Sequence, residues 1–212
     1  MNTESRNTES RNPEQESKAE LLARLDVMEA MMQEGRRSTV RWGWIFVLWG
    51  AAYLIAIGWS SFLPSWVPWT VTMVGTAIIC SVIVTIKRRG KPTTQLARSV
   101  SAIWNGVGIA LFVYSFGISI SGHVELHSFW ATVEVLFGVI NFASAMILRW
   151  RVQYLVATLW FSSALATCFV STQHVLPILI ADTVLGMIGF GLYLMYLEHR
   201  DRRTSTTAVQ HG

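Results

Sequence analysis

Charge is what this sequence has least of. Asp, Glu, Lys and Arg make up 14% of its 212 residues, where a soluble domain carries roughly a quarter. With 52% hydrophobic residues, the missing charge points to lipid as the solvent. Cysteine is also scarce. Cys80 and Cys168 are the two in the chain, and their segments place them near opposite faces of a bilayer, too far apart to bridge. Buried apolar thiols are their expected state. The chain has no P-loop, no G-x-S-x-G, no Rossmann glycine pattern and no cluster of Cys ligands. No Lys lies inside an apolar segment, which excludes a Ser–Lys arrangement there. An enzyme is therefore unsupported, and no cofactor is expected. The first 40 residues are polar, with no apolar run behind a basic start. No cleavable signal is expected, and the first apolar segment should act as an anchor.

Apolar segments are abundant. Six stretches reach the 20 or so residues that a helical span needs, over 42–62, 67–86, 99–120, 127–148, 152–172 and 176–197. They are too long for strands and do not alternate, and an open sheet edge cannot be satisfied in lipid. The expected fold is an all-α membrane protein, a six-transmembrane-helix bundle with a short amphipathic N-terminal cytosolic helix.

All seventeen Lys and Arg lie outside these segments, and threading the segments through a bilayer puts them on one side. The loops 61–66, 121–126 and 173–175 hold one acid, Glu125, and no Lys or Arg. Positive residues stay cytoplasmic, so both termini are expected inside, in the inner or plasma membrane. The net charge of +4 is a product of this topology. No nucleic acid is expected as a partner. Trp42, Trp44 and Trp150 fall at the inner interface and Trp59, Trp66, Trp69 and Trp130 at the outer one, where an indole suits the headgroup layer.

The ends are simpler. Residues 1–16 contain a doubled Asn-Thr-Glu-Ser-Arg and should be disordered, and 198–212 read as a basic, flexible tail. Residues 17–35 read as a helix. Ser17 and Glu20 form a capping box, Glu20 and Arg24 an i,i+4 pair, and Gly35 is placed to end it. Leu21, Leu25, Met28 and Met32 share one apolar stripe. That stripe needs cover: the protein's own inner face, a protein partner, a second copy, or the membrane surface.

Two acids lie inside the spans without a basic neighbour. Glu134 and Asp182 each sit about 6 Å outward of mid-span, at 1.5 Å per residue. An ionised carboxylate there costs several kcal/mol. The available companions are outer histidines, uncharged polar groups, backbone, water, a cation, or each other. His127, Glu134 and Asn141 repeat every seven residues on span 4. Asp182, Gly186, Gly189 and Tyr193 share a stripe on span 6. Ser101, Asn105, Gly108, Ser115 and Ser119 do so on span 3. All three stripes are expected to face the bundle. The pentads Glu134–Gly138 and Asp182–Gly186 also match in pattern, which fits an internal repeat.

On the outer side, His123, Glu125 and His127 form H-x-E-x-H, and His174 begins span 6. These are candidate metal ligands or pH-sensing groups. They converge only if the loop is extended, and a hydrated loop is the alternative. Two functional readings follow. One is a membrane-embedded accessory, regulatory or sensory protein that binds partners through 17–34. The other is a small ion- or proton-coupled transporter built on Glu134 and Asp182.

Overall fold

The structure is a computed structural model that describes residues 13–63, 65–88, 95–121 and 125–210. Its described elements are helical: α1 (Pro13–Val40), α2 (Gly43–Ser60), α3 (Val67–Arg88), α4 (Gln95–Ser121), α5 (Leu126–Leu148), α6 (Arg151–Phe169), α7 (Thr172–Asp182), a π-helical segment (Thr183–Gly189) and α8 (Phe190–Gln210). Among the described residues, six helical stretches are long and apolar enough to cross a membrane, the sixth running through α7, the π segment and the start of α8. They coincide with the expected spans to within a few residues. Every described Lys and Arg outside α1 lies at the end of the bundle against which α1 docks. We call this the basic end and the other the neutral end.

The spans are not equivalent. More than half of the apolar window of α5, 56%, is buried, against 0% for α4 and 6% for α3. The α5–α6 pair is the most extensive interface, and the sixth span and α2 close the core around it. Phe137, Ile140, Trp160, Leu179 and Met187 fill its centre. Around them runs an aromatic chain in which Trp69 meets Trp130 at 5.2 Å and Phe137 stacks on Trp160 at 4.8 Å. Trp130 therefore serves the core, while Trp66 is exposed at the neutral end. Helices α2 and α8 cross at two glycines. A Cβ on Gly43 would lie 2.7 Å from the Gly191 carbonyl, and one on Gly191 would lie 2.7 Å from the Gly43 carbonyl. Only residues without side chains let two backbones approach so closely.

Helix α1 differs from expectation at both ends. It begins at Pro13, so Ser17 lies within it and not at its cap. Proline suits a first helical turn, where its missing N–H costs nothing. The helix also runs through Gly35 to Val40. Gly35 is a contact point here and not a stop: its Cβ would sit 2.6 Å from Leu96 and 3.0 Å from Leu148. The next residue, Arg36, closes the end of α5. Its guanidinium donates to the carbonyls of Leu148 at 2.7 Å and Arg149 at 2.6 Å. Arg149 has turned left-handed, φ 47°, and left those carbonyls free. Docking on the protein's own face is thus limited to the last turns, where Thr39 and Val40 are buried. Leu21, Leu25 and Met28 stand 58%, 57% and 49% exposed, and Met32 is half-buried. The Glu20–Arg24 pair forms at 2.6 Å on the exposed surface. At the other terminus, α8 stays helical to Gln210, past the expected span end. Residues 1–12 of the expected disordered tail lie outside the described residues.

The span-3 stripe also needs correction. Asn105, Gly108 and Ser119 on α4 are exposed on the bundle's outer surface. The adjoining face wins the interior: Ile103, Trp104, Val107 and Leu111 pack on the core, and the Trp104 indole donates to Ser144 at 3.1 Å, leaving Ser101 and Ser115 half-buried at the boundary. Apolar bulk outweighs the few polar groups in choosing which face of α4 turns inward.

Candidate functional site

Glu134 and Asp182 come together inside the core, 0% and 2% exposed. Helix α5 supplies the first and the last residue of α7 the second. Helix α6 packs against both and brings Ser163 and Thr167, four residues and thus one turn apart on a single face. The Ser163 hydroxyl donates to Asp182 Oδ1 at 2.6 Å. Thr167 and Asp182 are polar neighbours of the Glu134 carboxyl, although the Thr167 hydroxyl closes no well-aligned hydrogen bond. Each acid thus has one α6 hydroxyl, and each lies within electrostatic reach of the other.

Several polar atoms here are buried without a hydrogen-bond partner among the described residues: both Glu134 oxygens, Asp182 Oδ2, Thr167 Oγ1 and Trp160 Nε1. Native cores satisfy nearly all such atoms, so a cluster of exceptions marks a place where something other than packing is at work. The residue types agree. The acceptors are hard oxygens, and no Lys or Arg of this chain lies in the span segments around them.

The backbone is special at the same place. The π segment follows Asp182 directly, and short π-helical insertions are rare and concentrate at functional sites. Gly186 within it lets the Trp160 indole lie on the backbone; a Cβ would be 2.9 Å from Nε1. Gly138 does the same for Phe161, whose ring would meet a Cβ at 2.6 Å. The matching pentads therefore share a physical device: an acid, then four residues later a glycine that receives an aromatic ring of α6.

The other candidates lie elsewhere. Asn141 is buried on the α5 face that carries Glu134 but spends its amide on the Phe137 carbonyl at 2.8 Å. Asn105 is apart from the pair, on the exposed face of α4. Glu125 accepts from Ser128 at 2.6 Å, a His127 ring nitrogen meets the Val170 carbonyl at 3.0 Å, and His174 Nδ1 meets the Ser171 hydroxyl at 2.8 Å. Each is engaged locally. No three His, Cys, Asp or Glu converge as metal ligands among the described residues, and His123 lies outside them. Ser163, Thr167 and Trp160 join the site without having stood out in the sequence. Gln153 likewise joins the buried polar residues, fully enclosed near the start of α6 with its amide unpartnered. A polar amide beside a span boundary gives no sign that it faces inward.

Fold and site together define a class: a protein whose described elements are all helical, with six stretches fit to cross a membrane and a carboxylic acid pair in its core. No protein-family model matches the chain, and no curated protein or solved structure is significantly similar to it.

Proposed function

We propose that the protein is a membrane-embedded regulatory or sensory protein, with the Glu134–Asp182 pair as the element that responds and α1 as the element that reports. One observation carries this reading: the helix that holds Glu134 ends in the grip of α1, through Arg36 on the Leu148 and Arg149 carbonyls. A change in the tilt or rotation of α5 reaches α1 without an intermediary. Such coupling needs an element with two arrangements that both sites bias. The π segment beside Asp182 is that element in this proposal. The exposed stripe of α1 supplies a surface through which the output is read. Enclosure of both acids, each beside a single hydroxyl, supports regulation over transport. The orientation proposed is the one set by the positive-inside distribution, with α1 and both termini cytoplasmic, in the plasma or inner membrane.

The convergence of two acids in one core supports a second reading, a proton- or cation-coupled carrier. Reconstitution into proteoliposomes separates the two. With a pH-sensitive dye and then a sodium- or potassium-sensitive dye inside, the regulatory reading expects no flux above protein-free vesicles. Flux that Glu134→Gln and Asp182→Asn both abolish would establish the carrier instead.

A further inference from the structure

The free part of α1 has a register, and the register names its partner. Leu21, Leu25, Met28 and Met32 follow the 4-3-4 spacing of a coiled-coil seam, positions d, a, d and a. The same seam continues to Gly35 and Thr39, and there the protein's own bundle occupies it. From Leu21 to Met28 it is uncovered. Leu22 and Met31 flank it, 53% and 46% exposed, and widen the apolar face. The described bundle leaves this stretch uncovered.

We infer that a second copy of this chain covers the stretch, through a parallel pairing of the two α1 helices. This rests on the reading of α1 as the interaction element and specifies what it meets. Three arguments favour a second copy. Every copy inserts with the same orientation, so two α1 helices leave the membrane on one side, and they run parallel where they project along its normal. In a parallel pair, the g residue of one helix faces the e residue five positions later on the other. Here g is Arg24 and e is Glu29. The symmetric dimer therefore gains two opposite-charge pairs, Arg24 to Glu29 of the second copy and the reverse. An antiparallel pairing sets g beside g and e beside e, and loses the match.

The third argument concerns the lipid surface. Interfacial helices favour a basic polar face. Residues 18–37 balance Lys18, Arg24, Arg36 and Arg37 against Glu20, Asp26, Glu29 and Glu34, so an anionic bilayer gains little from this helix. The seam is short, and isolated helices of this length associate weakly. Confinement of both copies to one membrane supplies the effective concentration that the seam lacks.

Disulfide trapping in native membranes tests this on the full-length chain, with Cys80 and Cys168 replaced by alanine. Single cysteines go at Leu25 and Met28 on the seam, and at Ala23 and Ala30 on the opposite face. Mild oxidation with copper phenanthroline is expected to give an adduct of twice the monomer mass from the seam positions, at least severalfold above that from Ala23→Cys or Ala30→Cys. Arg24→Glu or Glu29→Arg alone should lower the Leu25→Cys yield severalfold, and the two together should restore it. Equal trapping on both faces, or a double charge swap without rescue, overturns the pairing. Seam adducts only of another mass overturn the second copy but leave α1 as an interaction element. No adduct from any seam position overturns both.

Discussion

Replacing Glu134 with methionine should make the protein more stable. The side chain is 0% exposed, and both its oxygens lack a hydrogen-bond partner among the described residues. A buried polar group left unsatisfied costs about 1–3 kcal/mol. Methionine has similar length, fills irregular space and brings no polar atom. The substitution breaks no well-aligned hydrogen bond: Asp182 is held by Ser163, and the Thr167 hydroxyl neighbours Glu134 without closing one. It also removes a like-charge neighbour from Asp182. The expected gain is about 1–3 kcal/mol, or a few degrees in Tm at roughly 2–4 °C per kcal/mol for a chain of this size. Glu134→Gln should change stability by less than about 1 kcal/mol, since an amide can satisfy neighbours that a carboxylate leaves bare. The assay is thermal unfolding of purified protein in one detergent, followed by intrinsic tryptophan fluorescence. A loss of more than about 2 kcal/mol from Glu134→Met, with insertion intact, would refute the reasoning. It would mean that the carboxyl has partners on which the core depends. A stabilising loss of a buried acid is the pattern of a residue kept for function at a cost in stability.

Three further outcomes are expected. Ser163→Ala strands Asp182 Oδ1 and should cost about 1–3 kcal/mol; in an Asp182→Asn background the cost should shrink, and a double-mutant cycle by thermal unfolding measures the coupling. Gly191→Leu forces a side chain into the Gly43 backbone and should cost at least about 1–3 kcal/mol, whereas Gly108→Leu on the open face of α4 should be tolerated; Tm and monodispersity in detergent check both. A membrane-impermeant maleimide applied from outside should label a cysteine introduced at Ser121 and spare one at Gln95, and the reverse pattern would invert the orientation.

The spans were legible because one constraint, a backbone satisfied within each segment across about 30 Å of hydrocarbon, writes itself as unbroken apolar runs. Glu134 and Asp182 were legible as anomalies within those runs. Their meeting was not, because spacing along one helix does not say which hydroxyl of another faces it; Ser163 and Thr167 are two of several small polar residues on α6. The π segment left no signal, since nothing in the residues Thr183–Gly189 sets them apart from the rest of the apolar span. On α4 the rule that polar faces turn inward failed at Asn105, where the face bearing Trp104 and Leu111 had more surface to bury. Gly35 looked like a helix stop because glycine often is one. Only the closeness of Leu96 and Leu148 gives it its actual use.

The link between the acid pair and α1 is tested most directly by hydrogen exchange of backbone amides in lipid nanodiscs, comparing the native protein with Glu134→Gln, Asp182→Asn and Arg36→Ala. Arg36→Ala should raise exchange across residues 32–40 by freeing the base of α1. If the pair reports through α5, Glu134→Gln and Asp182→Asn should change exchange over those same residues while α5 and α6 stay protected, and combining either with Arg36→Ala should add nothing further. Identical exchange over residues 32–40 in the native protein and both acid variants would contradict the account.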